Sequence, residues 1–172
     1  KSGREIGWRA KALGMHVISV DEQPVDGDPV VEKVWGLSKL DDLLKRSDYV
    51  VVTAPYTPRN ENLIGSAQLS IMKPSARIIV TSRGRLVERN ALVSALRTGL
   101  IAGAALDTTT QEPLPADDEL WGLPNAIITP HIAGNSEKEL LDKRTVDIFA
   151  ENLERYLSRQ PLINIVDKQL RY

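Results

Sequence analysis

The sequence predicts a doubly wound α/β fold, a parallel sheet with helices packed over it. Two observations carry that reading. Short, β-branched apolar runs recur along the chain, and segments with apolar residues at helical spacing separate them. Runs that are apolar at nearly every position suit strands covered on both faces. Strand–helix alternation of this kind is the pattern of a parallel sheet built from crossovers.

Taken in order, a helical stretch at Trp8–Leu13 leads into a strand over His16–Asp21, and Val30–Trp35 is a weaker strand candidate. Ser38–Arg46 is helical and Asp48–Ala54 is the next strand. Ser66–Lys73 and Val87–Thr98 are helical, the second with Ala91, Leu92, Ala95 and Leu96 on one face. Ala76–Ser82, Ile101–Asp107 and Asn125–Thr129 complete the strands. From Ser136 to about Ser158 runs one long helical pattern that includes Leu140, Ile148, Leu153 and Leu157. Pro161 ends it, and Leu162–Val166 reads as a short strand leaving the domain. Residues 1–158 therefore form one domain and 159–172 a tail.

Composition narrows the function classes. The 172 residues carry 22 basic and 23 acidic side chains, a formal charge of −1, so the basic stripe of a nucleic-acid binder is not expected. Apolar runs such as Leu100–Leu106 are too short to span a bilayer. With no cysteine there is no disulfide framework and no thiolate metal site, and a cytoplasmic enzyme fits. No metal is expected.

The start of the chain resembles half a motif. In a dinucleotide-binding βαβ unit, a strand precedes a Gly-x-Gly-x-x-Gly turn and the helix that follows it. If Gly3 is the third glycine, Lys1 and Ser2 are the variable positions, and two glycines and the first strand are expected ahead of Lys1. Asp21 then lies 18 residues after Gly3, near the offset of the acid that bonds the adenosine ribose. The plainer alternative is a helix N-terminus and a surface aspartate closing a strand. On the first reading the strands at His16–Asp21 and Asp48–Ala54 flank a slot of roughly 10 Å and share no backbone ladder.

Three more segments sharpen this. They are Val80-Thr81-Ser82-Arg83-Gly84-Arg85-Leu86-Val87, then Ala104-Ala105-Leu106-Asp107 continuing to Glu112-Pro113-Leu114-Pro115, then Thr129-Pro130-His131-Ile132-Ala133-Gly134. In this order they resemble the signature segments of the D-isomer-specific 2-hydroxyacid dehydrogenases. Arg9-Ala10-Lys11-Ala12-Leu13-Gly14-Met15 is similar to that family's first helix. The likeness runs over nearly the whole chain. Two positions depart from the pattern: Val80 stands where the family often has Asn, and Thr108 where it often has Val.

The resemblance implies a Rossmann-type domain that binds NAD and exchanges a hydride with a small D-2-hydroxy or 2-keto acid. It also implies a substrate domain built mainly from a segment upstream, and a homodimer. Arg83 falls where the family's arginine grips the substrate carboxylate, and a guanidinium fork matches a carboxylate with two parallel bonds. His131 takes the place of the general acid/base, a role suited to an imidazole, which titrates near neutral pH. His16 is read as structural. Glu112 corresponds to the glutamate that orients the histidine, and Asp107 to the aspartate that meets the nicotinamide carboxamide. Thr81, Ser82, His131 and Gly134 line the nicotinamide end, and Pro55 the adenosine half. Lys1, Ser2 and Gly3 offer N–H groups to the pyrophosphate at a helix N-terminus. Asp21 favours NAD over NADP. A second function class, a dinucleotide-sensing co-repressor, uses the same fold.

Overall fold

The computed structural model describes residues 2–26, 28, 30–31, 33–134 and 138–169. Lys1, expected at the pyrophosphate, and Ser136, expected to open the last helix, lie outside them. The chain divides into two compact units, Lys1–Pro130 and His131–Tyr172.

In the first unit, α1 (Ser2–Ala12) is followed by β1 (Ser19–Val20), β2 (Val25–Asp26) and β3 (Lys33–Trp35). A 3₁₀ turn at Leu37–Lys39 runs into α2 (Leu40–Arg46), and β4 (Tyr49–Val52) follows. Then come α3 (Ser66–Ser70), β5 (Arg77–Val80), α4 (Arg89–Arg97), β6 (Gly103–Leu106) and β7 (Ala126–Ile128). Five of the six expected runs form strands near their expected places, and the weak candidate at Val30–Trp35 forms β3 at its end. The two-residue β2 was not expected. It pairs antiparallel with β3.

The strands form two sheets. One has the order β1-β3-β2, with β1 and β3 parallel. The other is wholly parallel, in the order β4-β5-β6-β7. No ladder joins Val17–Val20 to Val50–Thr53 among the described residues, as the strand assignment required.

The core belongs to the parallel sheet. Leu43 and Leu44 of α2, Leu69 of α3, and Leu92 and Leu96 of α4 pack with Val50, Val52, Ile78, Val80, Ala104 and Leu106. Those six strand residues share one face, because the register pairs Val50 with Ile78 and Ala104, and Val52 with Val80 and Leu106. The opposite row, Val51, Ile79, Ala105 and Ile127, runs from half-buried to exposed. Burial on both faces, expected from the continuous apolar runs, is therefore met fully on one face only. Helix α4 closes with Gly99 at φ 68°, a left-handed residue that lets the Leu100 N–H reach back to the Ala95 carbonyl.

The second unit holds α5 (Lys138–Leu157) and the tail. The expected strand at Leu162–Val166 does not form. The Asn152 side chain takes the backbone instead: its Nδ2 donates to the Ile163 carbonyl at 3.1 Å and its Oδ1 accepts from the Ile163 N–H at 2.8 Å. Asn164, at φ 52°, then turns the chain out of extended geometry.

Candidate active site

Parallel strands in register end in register. The residues just beyond β4, β5, β6 and β7 are Thr53, Thr81, Asp107 and Thr129, so four polar side chains follow four apolar strands along one edge. The backbone carries the row past the strands: Thr81, Asp107 and Thr129 donate their N–H groups to Val52, Val80 and Leu106 respectively. In open α/β sheets this carboxyl edge is where ligands bind. Asp107 is 8% exposed, and its Oδ1 accepts a 2.6 Å hydrogen bond from Thr129 Oγ1. That bond fixes one carboxylate oxygen at the sheet edge.

Beside Asp107, Ser82 and Arg83 lead out of β5. The buried Ser82 Oγ has no partner among the described residues. Arg83 is exposed, and its Nη1 donates to the neighbouring Ser82 carbonyl at 2.7 Å. A 3₁₀ turn at Gly84–Leu86 follows at once. A Cβ at Gly84 would stand 2.1 Å from the Thr109 carbonyl carbon, so only glycine allows this backbone approach. The approach packs the Arg83 turn against the loop leaving β6. In that loop Glu112 Oε1 accepts the Thr109 N–H at 3.1 Å. Arg83, Asp107 and Glu112 are thereby gathered at one end of the sheet.

His131 opens the second unit, two residues beyond Thr129. It is exposed and holds φ 54°, a left-handed conformation that is uncommon for a residue with a Cβ. Departures of this kind concentrate at functional sites. Gly134, in the same loop, is exposed.

At the β4 end of the same edge, a Cβ on Gly3 would stand 2.9 Å from Thr53 Oγ1, so the start of α1 sits directly against the carboxyl end of β4. This is the close approach that the third glycine of a dinucleotide turn provides, and Ser2 and Gly3 open the helix there. Asp21 follows β1 at the corresponding edge of the smaller sheet. Its N–H donates to Trp35 and its Oδ1 accepts from Gln23 N–H at 3.0 Å. Glu22 forms an ion pair with Arg59 at 3.4 Å. The Pro55 carbonyl accepts from Asn60 Nδ2, which shapes the loop after β4. His16 is exposed ahead of β1.

Thr53, Gly84 and Thr129 were not singled out from sequence as site residues. Gly84 and Thr129 stand inside the quoted segments, but only the fold reveals what they touch. Among the described residues no group of three or more His, Asp or Glu side chains is placed to hold a metal. No helix among them is long and apolar enough to cross a membrane.

The known proteins most like this chain point to one family. Residues 1–133 match the family model described as D-isomer specific 2-hydroxyacid dehydrogenase, NAD binding domain. The chain is 39% identical over 168 residues to the glycerate dehydrogenase of Methylorubrum extorquens, covering 96% of the chain and 49% of that protein. It is 36% identical over 171 residues to the glyoxylate reductase of Korarchaeum cryptofilum, covering 98% and 50%. Among solved structures, a D-isomer specific 2-hydroxyacid dehydrogenase from Xanthobacter autotrophicus in complex with NADPH superposes with TM-score 0.84 at 32% identity, over 92% of this chain and 64% of that one. An NADPH-dependent glyoxylate/hydroxypyruvate reductase from Sinorhizobium meliloti, in complex with NADP and sulfate, gives 0.87 at 26% identity, over 99% and 54%. The chain spans about half the length of the curated relatives it matches. On the match to residues 1–133, the chain belongs to the D-isomer specific 2-hydroxyacid dehydrogenase family and carries its nicotinamide-dinucleotide-binding domain.

Proposed function

We propose that the protein carrying this chain is an NAD-dependent dehydrogenase that interconverts a small D-2-hydroxy acid and its 2-keto acid. The observation that supports this most is the backbone contact of Gly84 with Thr109, which gathers Arg83 and Glu112 beside Asp107 at the carboxyl edge. The names of the relatives, glycerate dehydrogenase and glyoxylate reductase, support the substrate class.

Bound NAD(H) supplies the hydride carrier. Every other part of the reaction falls to side chains. Arg83 grips the substrate carboxylate through its fork, which sets orientation as well as charge. His131 takes the proton from the hydroxyl oxygen during oxidation and returns it to the carbonyl oxygen during reduction. Glu112 bonds the far imidazole nitrogen and holds the ring in one tautomer. Asp107, fixed by Thr129, accepts a bond from the nicotinamide carboxamide, and Thr81, Ser82 and Gly134 line that end. The N–H groups of Lys1, Ser2 and Gly3 meet the pyrophosphate. Pro55 packs by the adenosine.

Asp21 bonds the ribose and disfavours a 2′-phosphate, so NAD is preferred over NADP. Glu22 is paired with Arg59, which leaves Asp21 as the main negative charge there. Residues 1–158 make the dinucleotide-binding domain, and 159–172 return toward a substrate domain. The working form is a cytoplasmic homodimer.

The test is NADH consumption with glyoxylate and hydroxypyruvate, run beside NADPH. His131→Ala is expected to lower turnover roughly 10²–10⁴-fold while NADH still binds. NADH binding with no turnover on any keto acid would instead point to a dinucleotide-sensing co-repressor. Equal use of NADPH would remove Asp21 from the ribose.

A further inference from the structure

No ladder joins β1 to β4 among the described residues, yet an ion pair crosses from the turn after one to the loop after the other. Arg59, in the loop that follows β4, places Nη2 3.4 Å from Glu22 Oε1, and Glu22 follows Asp21 at the end of β1. The loop is built to hold Arg59 there. Asn60 beside it accepts the Thr57 N–H at 2.7 Å through Oδ1, and its Nδ2 donates to the Pro55 carbonyl at 2.9 Å. Thr57 is 4% exposed, which anchors the loop in the protein. A guanidinium is therefore kept on the residue next to Asp21, about 3.8 Å along the chain from the acid assigned to the ribose.

The charges decide what this corner admits. A dinucleotide seats here where Gly3 lets α1 start against Thr53, a close approach that a Cβ would fill. At its ribose end stand two carboxylates, Asp21 and Glu22, and one cation, Arg59. The side chains of Arg59 and Glu22 are 63% and 43% exposed, and exposed pairs are weak. Arg59 can thus let go, and its fork fits a phosphate with two parallel bonds as it fits a carboxylate. Its move toward a 2′-phosphate takes a cation away from Glu22 and brings further negative charge near it. That penalty keeps Arg59 on Glu22.

We propose that Arg59 is a specificity-determining residue for the dinucleotide: held by Glu22 it offers nothing to a 2′-phosphate, and freed from Glu22 it binds one. Asp21 and Glu22 then exclude the phosphate by different means, Asp21 by standing at the ribose and Glu22 by occupying the cation. The inference rests on the NAD reading of the β1 end given above.

Kd values for NADH and NADPH, read from nicotinamide fluorescence of the protein carrying this chain with no substrate added, give the ratio that tests it. Glu22→Gln is expected to shift the ratio about tenfold toward NADPH, the worth of one charge-assisted hydrogen bond at an exposed site. Adding Arg59→Gln is expected to return the ratio to near the parent's, and Arg59→Gln alone to move it further toward NADH. A Glu22→Gln ratio like the parent's, or a gain that survives Arg59→Gln, would overturn the role of Arg59. Asp21→Asn reads the underlying assignment separately, and a move toward NADPH is expected. No move in that variant, with the Glu22→Gln shift intact, would detach Asp21 from the ribose and leave Arg59 in its role. A parent protein that binds neither dinucleotide would sink both.

Discussion

The two faces of the four-stranded sheet are built from the same residue types and fare differently. Ile78 is 0% exposed and packs among α2, α3 and α4 residues, whereas Ile79, its neighbour on the other face, is only half-buried. At β7 the second face ends in Ile127, which is 67% exposed. Apolar content therefore does not measure how well a face is covered. One face closes a core, and the site rests on its end: Val80 precedes Thr81, Ser82 and Arg83, and Leu106 precedes Asp107.

The widest separation between the faces is expected from Ile78→Ala and Ile79→Ala. Both changes remove the same atoms from adjacent positions of one strand, so intrinsic strand preference cancels. Ile78→Ala leaves a cavity in a packed core and is expected to cost about 2–5 kcal/mol. Ile79→Ala is expected to cost about half of that or less, because part of the side chain is already in water. Urea unfolding of the two variants measures both. Equal costs would mean that the second face is as well packed as the first.

Gly84→Ala probes the seam where the buried face becomes the site. The new methyl meets the Thr109 backbone, which cannot rotate away as a side chain could. A cost of about 1–3 kcal/mol is expected, together with lower keto-acid turnover, because the loop carrying Glu112 must move from the Arg83 turn. Full activity in this variant would show that the contact does not set the site.

Where apolar packing thins, single polar bonds hold the structure, and their removal costs less. Thr129→Val takes away the hydroxyl that donates to Asp107 Oδ1 and keeps the volume. About 1 kcal/mol of stability is expected to go. The proposed carboxamide contact predicts a further effect, a weaker NADH affinity. Unaltered NADH binding would detach Asp107 from the cofactor.

This contrast also explains what was legible in the sequence. Strands β4 to β6 stood out because nearly every residue in them is apolar, and the quoted segments placed Arg83, Asp107 and Glu112 at their ends. Which face of Ile78-Ile79 is covered depends on where α2, α3 and α4 settle, and a continuous run does not encode that. Strand β2 is two residues long and held by its register with β3, too short for a period to show. The tail failed as a strand for a similar reason, since Asn152, distant in sequence, supplies both backbone partners of Ile163. Gly84 and Thr129 matter through a backbone and a carboxylate that lie 25 and 22 positions away.

The smallest effect is expected in the N-terminal region, where Val30, Val31 and Gly7 are the buried residues among those described before α2. Asp28 clasps it. Its Oδ1 accepts from the Val30 N–H at 2.9 Å and its Oδ2 pairs with Arg4 Nε of α1 at 2.6 Å. The Val30 N–H first, and then the Arg4 side chain, hold the Asp28 carboxyl below its ordinary value of 3.8. A carboxylate with a depressed value in the folded state stabilises the fold above the ordinary value. That contribution fades as pH falls below about 3.8 and is gone once the folded group is itself protonated. Acid should thus loosen the link between α1 and the segment before β3. The Val30 amide is expected to titrate with a midpoint below 3.8, and Asp28→Asn should lose less stability between pH 5 and about pH 2.5 than the parent. Arg4 is exposed and salt screens such pairs, so the difference should shrink further in high salt. A Val30 midpoint at or above 3.8, or parallel acid losses in the parent and Asp28→Asn, would show that the clasp adds nothing. The N-terminal region would then rest on its few buried side chains alone.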